Sequence, residues 1–412
     1  MERQLSDPRP DPQWRIAMGE WRNHWRVGLT AMVGTAVSFS VWSSVSSIFV
    51  QPLEDAFGWS RGEIALTQNA SFAAALAAPF LGRLIDRIGV RPVLLSGLVL
   101  TIIGYGLLSA MAGSLPQYYA SYLFLTLAGL ATTGIAYTRI VGAAFVRSRG
   151  LALAVTRSGL AISGALLPPT LFAVIATYGW RYGFLLLAGL ILCVSLPLAW
   201  AFVDRGKAAP APQSDVMPLR TILADRKVII ICLASGLNYA PVVALLSQLQ
   251  PILTANGLPA ATAAGLVGLV GLAALAGTFI TGALVDRIWA PAVACFFTVM
   301  AAAGCVLLIV PGAGLGLAMA AVILIGLGQG AEIDVVAYII ARWFGMPRYA
   351  TIYGLSIFAI SVFIAIGGSL VGIVYDRTGS YDAVLAGAAI CFVLGALGYL
   401  AMGRPPSEAL KE

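Results

Sequence analysis

The sequence predicts an all-α membrane protein in which twelve membrane-crossing helices form two repeated halves. Three observations carry that expectation. Only 10% of the 412 residues are charged and 59% are hydrophobic, whereas soluble domains carry roughly 25% charged residues, so this chain needs lipid as its solvent. Its apolar runs match a bilayer core, which takes about 20 helical residues to cross. Short motifs recur across the two halves at an offset of about 200 residues.

Residues 1–25 form a polar, Pro-rich segment without the apolar stretch of a cleavable signal peptide. Trp14, Trp21 and Trp25 fall among Arg15, Arg22 and Arg26, a spacing that predicts a short helix lying on the membrane surface. The first half, 26–203, holds apolar runs near 26–49, 63–84, 92–113, 117–144, 150–177 and 182–203. A linker at 204–227, "DRGKAAPAPQSDVMPLRTILADRK", separates it from the second half, 228–403. There the runs lie near 228–252, 259–284, 290–310, 313–344, 350–374 and 382–403, and 404–412 is a polar tail. The 45 glycines suit close helix packing in lipid, where small residues let backbones approach.

Basic residues set the orientation. With both termini inside, the inner segments hold 20 of the 25 Lys and Arg, and the outer loops hold only Arg61, Arg181 and Arg377. That bias predicts cytoplasmic termini and a cytoplasmic linker in a cell (inner) membrane. The net charge of +7 is therefore an orientation signal, and no nucleic-acid partner is expected. Cys193, Cys232, Cys295, Cys305 and Cys391 all lie within apolar runs and read as packing residues.

The repeat is explicit in three places. "GRLIDR" at 82–87 returns as "GALVDR" at 282–287, "QPL" at 51–53 as "QPI" at 250–252, and Phe145 aligns with Phe344. Here the chain resembles the major facilitator superfamily. "GRLIDRIGVRP" (82–92) matches that family's loop between helices two and three, with Gly82, Asp86, Arg87, Gly89 and Arg91 in place, and Asp286 and Arg287 stand in a weaker second copy. The resemblance implies two six-helix bundles around a central cavity lined by helices 1, 4, 7 and 10, rocking to transport. It also implies a gating role for these residues and a monomer. A narrower resemblance, to monocarboxylate transporters and bacterial oxalate/formate exchangers, rests on "IFVQPLEDAFGWSRGEI" (48–64) and "RGLALAV" (149–155). Those relatives often carry a cation in helix one, eight or eleven. Here 27–50, 259–285 and 350–374 hold none, so an anion-binding charge must come from elsewhere.

Four ionisable residues sit deep in apolar runs: Arg139, Arg157, Glu332 and Asp334. A charge at the bilayer centre costs about 2.5–3.5 kcal/mol or more, so such groups face a wet cavity or one another. Two cations of the first half are expected to oppose two anions of the second. Register aligns Arg139 with Tyr338. Residues two apart on a helix point about 200° from each other, so one of Glu332 and Asp334 lines the pathway and the other fixes helix ten to a neighbour. Arginine suits a carboxylate substrate through its two-pronged hydrogen bonding, and a buried acid suits proton coupling. The alternative is a set of permanent inter-bundle salt bridges.

Asn238 and Tyr239, ahead of Pro241, are further candidates for substrate contact, as are Gln329, Tyr338, Trp42, Ser43, Ser40 and Ser44. His24 and Asn69 read as structural. One histidine, no metal-ligand cluster and no P-loop argue against an enzyme, a metal, a cofactor or ATP drive. The expected function is secondary transport of a small organic anion, with proton symport; anion exchange stays open. A drug exporter is disfavoured because helix five lacks the antiporter pattern and two buried arginines repel cations, and a sensor or scaffold is a remoter alternative.

Overall fold

A computed structural model describes residues 13–60, 63–64, 66–203, 219–310 and 314–405, and all of the regular elements among them are helices. In chain order the first six are α1 (Gln13–Ala36), α2 (Ala70–Ile88), α3 (Val90–Ser109), α4 (Leu115–Ala144, interrupted at 131–133), α5 (Arg149–Tyr178) and α6 (Trp180–Phe202). The second six are α7 (Arg226–Ala255), α8 (Ala260–Val285), α9 (Ala290–Ile309), α10 (Leu315–Phe344), α11 (Tyr349–Thr378) and α12 (Asp382–Ala401). Eleven of the apolar runs overlap one of these segments over most of their length, whereas the first, 26–49, shares only 26–36 with α1 and continues into short helical pieces.

Ten of the described helices are long and apolar enough to cross a membrane. The two left out are α1 and α2, for readable reasons. Any 18-residue window of the 19-residue α2 includes Arg83, Asp86 and Arg87. In α1 the arginine-rich start dilutes the apolar part, and the helix gives way after Ala36 to short 3-10 and α-helical pieces through Phe57. The separate surface helix expected at the N-terminus is instead the first part of continuous α1. Its Trp21 packs on Phe145, ring centroids 4.8 Å apart, so membrane-surface spacing and docking onto α4 share the same residues.

The two halves approach most closely near the face that carries the termini. The end of α2 lies on the start of α11, with Gly82 against the Ala350 carbonyl and Gly354 against that of Ala78. The repeat places the end of α8 on the start of α5, where Gly150 and Gly282 approach each other's backbone. No larger residue fits either crossing. Farther along, Phe72, Leu76, Leu166, Phe172, Ile366 and Leu370 are exposed on α2, α5 and α11. Those exposed apolar faces suit lipid, and the close backbone approaches between the halves lie toward the terminal face.

Filling a crossing glycine should force the terminal face apart. Overpacking costs about 1–3 kcal/mol, so Gly82→Leu is expected to move the closed population by about tenfold or more. Nitroxides at Arg87 and Pro347, both exposed, should report a longer distance in the variant, and an unchanged distribution would count against this closure.

Candidate functional site

Two carboxylates close the terminal face, and each does so by capping a helix of the other half. The first four N–H groups of a helix lack intrahelical partners and carry partial positive charge. Asp86, at the end of α2, accepts from the Ala350 N–H at 3.2 Å, and from the Thr351 N–H and hydroxyl at 2.7 Å each. Asp286, just after α8, accepts from the Gly150 N–H at 2.8 Å and the Leu151 N–H at 3.1 Å. The equivalent aspartates thus cap equivalent helices, α11 and α5.

Each cap has further neighbours, and one of each set occupies a matching position on α4 and α10; Asp286 also has Arg149 and Glu20 within electrostatic reach. Arg139 pairs with Asp86 at 2.8 Å and also donates to the Met346 carbonyl in the opposite half. Tyr338, which register aligns with Arg139, lies within electrostatic reach of Asp286. The structure therefore corrects the expectation that Arg139 faces the acids of α10: it pairs with the Asp86 cap, and Tyr338 lies near the equivalent Asp286 cap. The remaining motif residues divide. Gly82 makes the crossing. Gly89 turns the chain at φ 91°. Arg91 donates to the Val203 and Trp200 carbonyls at 2.7 and 2.8 Å, holding α3 to the end of α6. Arg87 and Arg287 are exposed.

Deeper in, four helices bring a second constellation together. Arg157 on α5 faces Asp334 on α10 at 3.9 Å, with 27% of the arginine side chain accessible and 5% of the aspartate. Tyr239 on α7 hydrogen-bonds Arg157, and Tyr353 on α11 lies within its electrostatic reach. Glu332 is buried, with no hydrogen-bond partner for either carboxylate oxygen. So α10 does place its two acids differently. Asp334 answers the cation of the other half, and Glu332 is left among uncharged groups.

Other candidates sit elsewhere. Trp42 is packed inside the first half, stacked with Phe184, and its indole N–H donates to the Tyr122 hydroxyl at 2.7 Å. That bond and stacking remove it from the cavity wall. Asn238 is fully buried in the second half against Gly395 of α12, away from the Arg157 side of α7. The side chain of Ser43 lies outside the described residues, and Gln329 is half-buried one turn before Glu332. Two contributors went unread in the sequence: Tyr353, a tyrosine in an apolar helix with no distinguishing pattern, and Glu20. The Glu20 carboxylate accepts from the Val146, Arg147 and Ser148 N–H groups and the Ser148 hydroxyl, at 2.9–3.2 Å, bracing the turn before α5. An acid within an arginine-rich segment was the available signal.

Two repeated six-helix halves, caps exchanged between them and an arginine deep at their junction define a multi-pass membrane transporter, not an enzyme. The Major Facilitator Superfamily signature matches residues 31–333, and the chain belongs to that superfamily. It is similar to monocarboxylate transporter 11 of Homo sapiens, 26% identical over 398 residues covering 92% of this chain and 83% of that one. It is likewise similar to monocarboxylate transporter 13 of Rattus norvegicus, 28% identical over 387 residues covering 91% and 88%. Among solved structures it shares its fold with the superfamily transporter FucP in the outward conformation, at TM-score 0.75, 16% identity and coverage of 95% and 100%. It also shares it with a bacterial homologue of the iron transporter ferroportin in the outward-facing state, at TM-score 0.73, 14% identity and coverage of 91% and 99%.

If Arg139 and Asp86 act as one unit, their removal is not additive. A double-mutant cycle of Arg139→Ala and Asp86→Ala, read by thermal melting in detergent, should return a coupling of about 1 kcal/mol or more, within the 0.5–3 kcal/mol range of contacting pairs. Additive losses would show that the 2.8 Å contact carries no energy.

Proposed function

We propose that this protein carries a small organic anion of the monocarboxylate type across the cell (inner) membrane by alternating access, with a proton moving alongside. The observation that supports the reading best is Arg157: a guanidinium at the junction of the halves, partly accessible, whose only acidic partner is a loose 3.9 Å contact among the described residues. A desolvated cation of that kind selects an anion. The arginine fork offers two parallel charge-assisted hydrogen bonds to a carboxylate and keeps its charge throughout the cycle. Relatives named monocarboxylate transporters support the same substrate class.

The site has an internal logic. With no substrate bound, Asp334 neutralises Arg157 across the junction. An incoming carboxylate takes the guanidinium, with the Tyr239 and Tyr353 hydroxyls beside it as uncharged donors. The acids of α10 are then left with less cationic compensation, and proton uptake restores neutrality before the halves rock. In this scheme the cation that relatives often carry on helices one, eight or eleven is replaced by one on α5. The basic-residue bias supports cytoplasmic termini, and in this reading the contacts at the terminal face serve as the inner gate.

Uptake of radiolabelled lactate and related monocarboxylates into proteoliposomes tests the reading. An inside-alkaline gradient should accelerate wild-type uptake. Arg157→Ala, at matched protein level, should lower it at least about tenfold, the loss of a charge-assisted bond of roughly 1.5–3 kcal/mol. Normal uptake by Arg157→Ala would remove the anion site. Indifference to pH with strong trans-stimulation would replace symport by exchange.

A further inference from the structure

We propose that the crevice between α3 and α6 at the terminal face holds an anionic phospholipid of the adjoining leaflet, with one acyl chain in the crevice and the headgroup phosphate at Arg91 and Arg26. The site lies on the outer side of the first half, and its assignment does not depend on the cargo.

The crevice is a cavity of about 800 Å³ lined by Leu95, Val99 and Leu100 of α3 and by Leu196, Pro197 and Trp200 of α6. The Ser96 hydroxyl in its wall donates to the Val93 carbonyl at 3.0 Å, so the wall presents hydrocarbon and one indole. Its length fits a chain from a single leaflet. Arg91 stands at the start of α3, and Leu100 lies roughly 13 Å farther along the axis at 1.5 Å per residue. Half of a hydrocarbon core about 30 Å thick is close to that depth.

Two features of the helices keep the crevice open. On α3, Gly97 and Gly104 pack against Ala131 and Leu125 of α4, which leaves Leu95 and Val99 on the other side of the helix. In α6, Pro197 has no N–H to give the Cys193 carbonyl. The helix widens there to a π turn over Ile191–Ser195, with the Leu196 N–H reaching the Ile191 carbonyl. The Ser195 hydroxyl shares a 3.1 Å hydrogen bond with the Tyr137 hydroxyl of α4, which fixes the widened turn from inside. Turns of this kind are frequent at functional sites.

Any lipid chain fills an apolar crevice; the mouth selects the headgroup. The Arg91 guanidinium lies 5.6 Å from the centre of the Trp200 ring and donates to the Val203 and Trp200 carbonyls at 2.7 and 2.8 Å. It is therefore held in place with N–H donors to spare. Arg26 of α1 lies beside the end of α6, 5.5 Å from the Phe202 ring and 5.7 Å from that of Trp25. Neither arginine has a carboxylate partner among the described residues. Trp25 and Trp200 are both exposed, and such tryptophans belong at the level of lipid headgroups. Two uncompensated cations and two indoles around an apolar slot complement a phosphate that carries hydrocarbon. A zwitterionic headgroup would set its own cation against the same arginines.

Native mass spectrometry of the purified full-length protein, loaded with phosphatidylglycerol or phosphatidylethanolamine of identical chains, tests the site. Wild type should retain phosphatidylglycerol about fivefold better or more, the gain from one arginine near an anionic surface. Arg26→Gln should reduce that preference by about the same factor. Val99→Trp, which fills the crevice, should lower phosphatidylglycerol retention at least about fivefold. Equal retention of the two lipids by wild type would overturn the selection of an anion, and unchanged retention by Val99→Trp would overturn the crevice as its place. Where Val99→Trp does not fold, phosphatidylglycerol with brominated chains decides. It should quench the fluorescence that Trp200→Phe removes, and quenching no greater than that by brominated phosphatidylethanolamine would overturn the proposal.

Discussion

Charge inside an apolar chain must be compensated, and in this protein the compensation comes from the other half of the molecule. Asp86 and Asp286 each lie at the end of one bundle and accept the first N–H groups of a helix in the opposite bundle. Arg157 and Asp334 repeat the theme deeper in, with side chain against side chain. The glycine crossings follow from it. A carboxylate meets backbone N–H groups at hydrogen-bond distance only if the two backbones nearly touch, and Gly82 and Gly282 allow that approach. Removing the caps would leave the crossings held by van der Waals contact and the bond from Arg139 to the Met346 carbonyl, since lipid gives helices no hydrophobic drive to associate.

The duplication is kept where the two halves must close and lost where they must bind. The caps are the same residue type in the same place, and even the start of the capped helices corresponds, Gly150 with Ala350. The next layer already differs, with Arg139 in one half and Tyr338 in the other. At the junction the symmetry is gone. The α11 position matching Arg157 is Ile357, and the α4 positions matching Glu332 and Asp334 are Thr133 and Ile135. A closing device works equally well from either half. On the proposed reading, an anion charged at one end would meet a cation on one side and acids on the other.

That division explains what the sequence disclosed. Hydropathy and length located the ten described helices that can cross a membrane, because lipid imposes both, but placed the first segment some residues too late in the chain. The repeated motif located the two carboxylate caps between the halves, and the cost of buried charge picked out Arg139, Arg157, Glu332 and Asp334. The facing of each side chain was harder to read. A helix surrounded by lipid and by other apolar helices carries little amphipathic pattern, so nothing showed that Trp42 bonds to Tyr122 or that Asn238 turns toward α12. Arg139 was misplaced for a related reason: its register with Tyr338 was legible, but its depth relative to Asp86 depends on how α2 and α4 are staggered. Tyr353 gave no signal, since an apolar helix accommodates tyrosine for packing alone.

The same contacts also show why closure is reversible. A helix N-terminus released by Asp86 or Asp286 at the terminal face meets water, which replaces the lost hydrogen bonds at little cost. Asp86 keeps Arg139 when it leaves α11, because that pair lies within one half; only the bond from Arg139 to the Met346 carbonyl must break. The start of α5 keeps Glu20 as a local brace when Asp286 departs. Each half thus carries part of its own compensation, and opening exchanges cross-bundle bonds for water without stranding a charge. The Arg157–Asp334 pair has no such local substitute among the described residues. On the proposed reading, its separation needs a second anion or a proton in place, which would tie the movement of the halves to the occupancy of the site.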